Sequence, residues 1–319
     1  MFLVTAGAVL LVVAIIYIVL DTIIHFLKVG HITDKYVFIT GCDSGFGHLA
    51  AKQLDKLGFH VFAGCLTKEG AKSVTESCSS RVTTVELDIR STESIQQAVK
   101  LVESKLPPNT GVWALINNAG IVGLAAPAEM CSREDVQVAL GVNLLGPIDV
   151  TRHFLPLIRK SHGRIVNTTS VSGRVAIMSI PYSVSKFGLE GFSNRLRREV
   201  WPQGIKVSIV EPGAFRTPIM NVEQILRDFQ EAFDKHSPDI QAVYGGFELK
   251  ITLLKCFESL KTIAATDLAP VVDAYIHAVT AQYPHRRYKP GRDAMWFYSP
   301  LCLLSDSAID MVLWLLRFP

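Results

Sequence analysis

A glycine-rich turn set between an apolar run and a helical pattern constrains this chain more than any other feature. Tyr36-Val37-Phe38-Ile39 reads as a strand, Thr40-Gly41-Cys42-Asp43-Ser44-Gly45-Phe46-Gly47 as the turn, and His48-Leu49-Ala50-Ala51-Lys52-Gln53-Leu54 as the helix it opens. Such a turn lets backbone N–H groups approach a pyrophosphate at the positive end of the helix. The spacing is TGxxxGxG, not the GxGxxG of the commoner dinucleotide fingerprint.

Further strand-like runs alternate with helical ones: His60 to Ala63, Thr83 to Leu87, Ala114 to Asn117, Arg164 to Thr168 and Lys206 to Val210. Apolar strands separated by helices imply a parallel sheet covered on both faces, wound by right-handed crossovers. One more strand is expected near Arg287-Tyr288-Lys289-Pro290. The expected fold is a doubly wound, Rossmann-type α/β domain over residues 33–295. Within it, residues 218–268 read as a mostly helical insertion and substrate lid, with Ile225, Leu226, Phe229 and Phe233 at helical spacing. That stripe either faces lipid or packs on its own core.

The two ends are apolar, and the mean hydropathy of +0.29 already hints at a membrane. Phe2 to Leu20 carries no charge; as a helix at ~1.5 Å per residue it nearly spans a hydrocarbon core of ~30 Å. Residues 1–27 therefore read as a membrane anchor, the rival being a cleaved signal peptide. Lys28 and Lys35 follow the span and weakly place the domain in the cytosol. Residues 296–319 end in Ile309 to Phe318, too short to cross a bilayer; this segment either lies in the interface, with Trp314 at headgroup depth, or packs on the domain.

A net charge of +3 offers no basic stripe for nucleic acid. The six cysteines, Cys42, Cys65, Cys78, Cys131, Cys256 and Cys302, have no metal-ligand spacing, so no metal site is expected. Reduced thiols are expected, with a lumenal disulfide as the alternative.

Tyr182 and Lys186 lie one helical turn apart in Tyr182-Ser-Val-Ser-Lys186, hence on one helix face. An ammonium beside a phenol favours its ionised form and can draw a pKa of about 10 toward the working range. The pair suits proton removal from an alcohol. Its companions follow in order: Asn117-Asn118-Ala119-Gly120, Asn143, Ser170, and Pro212-Gly213 before Thr217. Together with the glycine turn, this set over roughly residues 33–295 resembles the short-chain dehydrogenase/reductases.

The resemblance implies a site. Ser170 would hydrogen-bond the substrate oxygen, although Thr168, Thr169 and Ser172 stand close by; Tyr182 would take the proton; Lys186 would hold the nicotinamide ribose and lower the tyrosine's pKa. Asn143 would bend a helix and hold a water joining the lysine to solvent. Gly41, Asp43, Ser44, Gly45, Phe46, Gly47, Cys65, Asp88, Asn117, Ala119, Gly120, Pro212, Gly213 and Thr217 would surround the cofactor, Asp88 at the adenine or as a helix cap, and Thr217 at the carboxamide.

Many relatives that use NAD place an acid at the end of the second strand, where Cys65 stands here. Asp43 in the turn would repel the 2′-phosphate of NADP, and NAD is expected. The glycine turn, Gly64-Cys65-Leu66-Thr67, Gly111 to Asn118 and Tyr288 to Ala294 are similar to the membrane-bound retinol and hydroxysteroid dehydrogenases. That branch implies a retinoid or steroid alcohol, a lipid anchor, the endoplasmic reticulum membrane and a homodimer. D-3-hydroxybutyrate dehydrogenase, in a mitochondrial membrane, is the enzymatic alternative, with Arg216 and Lys250 as cations for an acid substrate. A membrane-tethered binding protein without turnover is a third reading.

Overall fold

Seven parallel strands build one sheet in the computed structural model, which describes residues 12–13, 23–245 and 247–316. They are β1 (Tyr36–Thr40), β2 (His60–Cys65), β3 (Val82–Glu86), β4 (Ala114–Asn117), β5 (Arg164–Thr168), β6 (Lys206–Val210) and β7 (Arg287–Tyr288). Their order is β3-β2-β1-β4-β5-β6-β7. The direction of winding reverses between β1 and β4, so the carboxyl ends of these two strands flank a crevice. The expected doubly wound sheet and its seventh strand are present, with strand ends shifted by a residue or two.

Cover on both faces explains why the central strands β1 and β4 are buried along nearly their whole length. Val37 and Ile39 of β1 point into one cluster with Ala114 and Ile116 of β4, while Phe38 and Leu115 point into the cluster on the other face. Helix α1 (Gly45–Leu57) covers the first face with Ala50, Ala51 and Leu54, and Gly58, at φ 102°, stops it in the left-handed conformation. Helix α2 (Lys68–Ser77) follows β2, and α3 (Thr92–Lys105) packs on the second face through Ile95, Ala98 and Val102. Two further helices, α4 (Arg133–Leu140) and α5 (Gly146–Lys160), are joined by a π-helical turn, Gly141–Leu145. The ring of Phe154 on α5 meets Phe38 at a centroid distance of 4.3 Å, which adds about 0.5–1.5 kcal/mol beyond simple burial. Helix α6 (Ile180–Val200) completes that face with Leu196 and Val200.

The insertion after β6 is helical, as its spacing predicts: α7 (Val222–Asp234), α8 (Pro238–Val243) and α9 (Phe247–Ile263). Its stripe packs inward, with Ile225 beside Phe257, Leu260, Val122 and Ala125, and with Phe229 buried. Helix α10 (Ala269–Thr280) then returns to the first face beside α1.

At the amino ends of the strands a charge is buried inside this core. Arg164, the first residue of β5, is 1% exposed, and its Nη1 donates to the carbonyls of Ala278 (3.1 Å), Val279 (2.8 Å) and Ala281 (2.8 Å). These are the unpaired carbonyls where α10 ends, and a cation there also meets the negative end of the helix dipole. Trp113 stacks under the guanidinium at 4.0 Å and donates its own Nε1–H to Val279. Burial holds the Arg164 pKa down to about 9.

Residues 23–29 fasten to this same edge. Val29 N–H donates to Thr280 O at 2.8 Å, Leu27 O accepts from Gln282 N–H at 2.7 Å, and the His25 ring stacks on His285 at 3.7 Å. Of Phe2 to Leu20, only Val12 and Val13 fall within the described residues, so the expected anchor lies outside them. Among the described residues no helix is long and apolar enough to cross a membrane. The carboxyl-terminal segment forms α11 (Asp306–Leu315), where Ile309, Val312 and Leu313 pack on the domain while Met311, Trp314 and Leu315 are exposed.

Replacing Arg164 with methionine keeps the volume but leaves three buried carbonyls without their charged donor. The expected loss is about 3 kcal/mol, at the upper end for hydrogen bonds to a charged group. A fall in the urea midpoint with an unchanged denaturant slope checks it.

Candidate active site

The turn between β1 and α1 approaches the end of β4 so closely that side chains are excluded. Gly41 has φ +71°, and a Cβ on it would lie 2.8 Å from the Ala119 Cα; a Cβ on Gly47 would lie 2.2 Å from the Gly41 carbonyl oxygen. Asn118 ties the two segments together. Its Nδ2 donates to Thr40 O (2.9 Å) and Gly41 O (3.0 Å), and Thr40 Oγ1 accepts from Asn118 N (3.0 Å) and Ala119 N (3.1 Å). Tyr275 donates its hydroxyl to Asn118 Oδ1 at 3.1 Å and fixes the amide orientation from α10. The amino terminus of α1 thus opens on the crevice with its N–H groups unobstructed, a cradle that fits a pyrophosphate.

Asp43 folds over the end of β2. Its carboxylate accepts from the N–H groups of Leu66 (3.0 Å) and Thr67 (2.8 Å) and from Thr67 Oγ1 (2.7 Å). Thr67 in turn caps α2 through Gly70 N–H. The carboxylate absent from the second strand is therefore supplied there by the turn. Asp88 also faces the crevice; the Arg90 side chain bonded to it, at 2.7 Å from Oδ2, holds its carboxyl below the usual range. Ser91, not Asp88, caps α3.

Ser170, Tyr182 and Lys186 meet at the end of β5. Ser170 and Tyr182 both line the crevice there, and Ser170 Oγ accepts from Ser172 N–H at 3.1 Å. Lys186, one turn along α6, donates its Nζ to Thr168 O at 3.0 Å and lies 5.6 Å from the centroid of the Tyr182 ring. Burial raises the tyrosine pKa above its ordinary value, with Ser170 acting in the opposite sense. The same burial lowers Lys186 to about 8. Desolvation penalises the charged form of each group, so the phenol lies above and the ammonium below its ordinary value.

Asn143 sits inside the π-helical turn, a feature concentrated at functional sites. Its bonds are long-range: Oδ1 accepts from Ile121 N (2.9 Å), while Nδ2 donates to Ile121 O (2.8 Å) and Ser185 Oγ (3.0 Å). It clips the segment after β4 to α6 beside Lys186.

A single cavity of about 1340 Å³ joins these parts. Gly41, Asp43, Ser44, Gly45, Phe46, Asp88, Ala119, Gly120, Ser170, Tyr182, Lys186, Pro212, Gly213 and Thr217 all line it. Gly47, Cys65, Asn117 and Asn143 do not. Gly47 serves helix–turn packing, and Cys65 faces the core beside Val61 and Ala63. Asn117 is turned into the sheet, donating to Thr151 Oγ1 and Asn167 Oδ1 at 2.9 Å each. The sequence reading passed over Asn118, although it adjoins Asn117, and Asp293. Asp293 accepts from Ala214 N–H at 2.7 Å and so fixes the loop after β6; a Cβ on Gly213 would lie 2.1 Å from its Oδ1. The lining also includes the apolar Val122, Ile177, Met178, Ile225, Leu260 and Tyr298, alongside polar residues such as Gln224, Asp228, Glu231 and His236. All six cysteines are free, as expected of reduced thiols, and no cluster that could hold a metal occurs among the described residues.

The model of the family described as short chain dehydrogenase matches residues 35–225. Among curated proteins, the chain is 46% identical to retinol dehydrogenase 5 of Homo sapiens, over 90% of each chain. It is 45% identical to retinol dehydrogenase 16 of Rattus norvegicus, over 88% of each. A solved short chain dehydrogenase/reductase from Burkholderia phymatum, in complex with NAD, superposes with a TM-score of 0.70 at 20% identity. That match covers 87% of this chain and 95% of the other.

Gly47→Ala places a methyl group against backbone and must displace the turn. Dinucleotide binding, measured by NADH fluorescence titration, is expected to weaken at least tenfold, about 1.4 kcal/mol, while Ala50→Gly in the same helix leaves the turn in place.

Proposed function

The chain belongs to the short-chain dehydrogenase family, and from that premise we propose how it works as an oxidoreductase on CH–OH groups. Tyr182 is the general base for alcohol oxidation and the acid for the reverse reaction, Ser170 holds the substrate oxygen, and Lys186 holds the cofactor ribose. The observation that carries this reading is the convergence of Ser170, Tyr182 and Lys186 with the glycine turn on one cavity. A nicotinamide bound there supplies the hydride acceptor and a positive charge. The chain's part is to position the alcohol and move its proton. Asn143 holds the wall beside Lys186 and, through a water, its link to solvent.

NAD is the cofactor this geometry favours. Asp43 stands at the end of β2, where its charge accepts from ribose hydroxyls and repels a 2′-phosphate. The substrate is a lipophilic alcohol, a retinoid or hydroxysteroid, a reading supported by the apolar Val122, Ile177, Met178, Ile225, Leu260 and Tyr298 of the lining. A small acid would need a cation beside Tyr182. Apart from Lys186, the cationic side chains among the described cavity residues are Arg90, paired with Asp88, and Lys235 at the end of α7. Arg216 is turned away to Lys261 O at 2.9 Å, and the side chain of Lys250 lies outside those described. These placements disfavour 3-hydroxybutyrate, and the assembled Ser170, Tyr182 and Lys186 disfavour a binding protein without turnover.

We also assign the protein to the endoplasmic reticulum membrane, through Phe2 to Leu20 and the exposed apolar face of α11 that carries Trp314. The exposed Val184 and Phe187 on α6 support a homodimer.

NADH production by microsomes carrying the full chain, offered retinol, a 3α-hydroxysteroid or 3-hydroxybutyrate, separates the readings: turnover of either lipophilic alcohol with NAD preferred over NADP is expected. Ser170→Ala and Tyr182→Phe should lower turnover by about 10²–10⁴-fold while NADH still binds. Because the base form of Tyr182 removes the proton, kcat/KM for oxidation is expected to rise with pH, and that for reduction to fall over the same range. Rate profiles in both directions check the sign.

A further inference from the structure

Behind the reacting wall lies an ion network, none of whose members lines the cavity. Glu190 stands one helical turn beyond Lys186 on α6 and is 5% exposed. Its Oε1 accepts from Thr169 Oγ1 at 2.7 Å, and its Oε2 accepts from Arg287 Nη1 of β7 at 2.8 Å. Arg287 also pairs with the buried Glu211 after β6, which Arg174 reaches at 3.5 Å from the segment after β5. Two carboxylates and two guanidinium groups thus balance one another. A buried charge needs such partners, because removing one leaves the other without solvent or counter-ion.

Three successive residues connect this network to the reacting groups. Thr168 accepts from Lys186 through its carbonyl, Thr169 donates to Glu190, and Ser170 lines the cavity with Tyr182. Strand alternation sends the middle side chain away from its neighbours. A shift of Glu190 would therefore move the serine and the lysine's acceptor together. Gly173 presses on the same place, since a Cβ there would lie 3.1 Å from Glu190 Cγ and 3.0 Å from Lys186 O.

We infer that Glu190, held by Arg287, is a positioning residue for the proton-handling pair: through Thr169 it fixes the segment that carries Ser170, and its carboxylate is the counter-charge of the buried Lys186 ammonium. This deepens the reading of Lys186 given above and rests on it. The charged and titratable groups around the lysine are few. Tyr182 and Glu190 lie on its own helix, Arg287 on β7, Glu211 and Arg174 on the loops after β6 and β5, and Arg197 further along α6, within the field of Glu190. Burial lowers Lys186, and Glu190 is the group that acts in the other direction. Loss of that carboxylate leaves the lysine charged over a narrower range of pH.

NADH fluorescence titrations of the detergent-solubilised full chain between about pH 6 and 10 test this, with kcat for alcohol oxidation measured in parallel. In the wild type, affinity is expected to decline as Lys186, held down to about 8 by burial, loses its proton. Glu190→Gln, which keeps the shape, is expected to move that midpoint down by about one pH unit. Glu190→Asp restores the charge and returns the midpoint, with kcat lowered because the shorter side chain draws on Thr169. Thr169→Val removes the tether alone and lowers kcat without moving the midpoint. An unmoved midpoint in Glu190→Gln, or one that moves equally in the aspartate or Thr169→Val variant, overturns the inference. If Glu190→Gln does not fold, Thr169→Val decides the inference, and an unchanged kcat in that variant overturns it. Full activity of Lys186→Ala would instead sink the parent reading.

Discussion

The close approach of the β1 turn to the end of β4 is the contact on which the rest of this molecule depends. In a parallel sheet whose order reverses between these strands, their carboxyl ends diverge into helices on opposite faces. Asn118 and Thr40 bridge them with a set of bonds near 3 Å, and Gly41 and Gly47 leave no side chain in the way. The amino terminus of α1 is thereby aimed at the crevice. Cofactor orientation, and with it the side from which a substrate must come, follows from this one junction.

Desolvation then sets the chemistry. A phenol and an ammonium sharing a buried wall do not simply stabilise each other; each also loses hydration that favours its charged form. In this fold the loss dominates, with the tyrosine raised and the lysine lowered. The balance must come from charges added around the pair, which gives Glu190 and the nicotinamide their electrostatic importance. Rigid support comes from the same places, through Thr169 on one side and Asn143 on the other.

The two apolar ends attach at opposite edges of the sheet. Residues 23–29 are fastened at the amino ends of β5 and β6, where Arg164 caps α10 and Lys206 reaches Gln282. Helix α11 packs near Val171 and Val175, just past the carboxyl end of β5 and close to the reacting wall. Trp314 is exposed on that helix, away from the attachment of residues 23–29. The stripe of α7 faces inward, where Ile225 finds partners on α9 and the loop after β4, and Phe229 is buried.

Local pattern made much of this legible in advance. Alternation of apolar strands with helices reads out the sheet, and a glycine turn or a Tyr–Lys pair at helical spacing is visible because its geometry is set by neighbours in sequence. Side-chain direction across the fold is not. Asn117 and Asn118 are indistinguishable as letters, yet one faces the sheet and the other builds the cradle, since successive strand residues point to opposite sides. Asp43 could be seen, but only the folded turn carries it over β2, in place of the buried Cys65. Glu190, Arg287 and Asp293 meet their partners from segments far apart in the chain. The sequence alone determined the fold and marked Ser170, Tyr182 and Lys186 as a set; tertiary structure decided which buried charges accompany them, because desolvation and ion pairing depend on distances that no local pattern encodes.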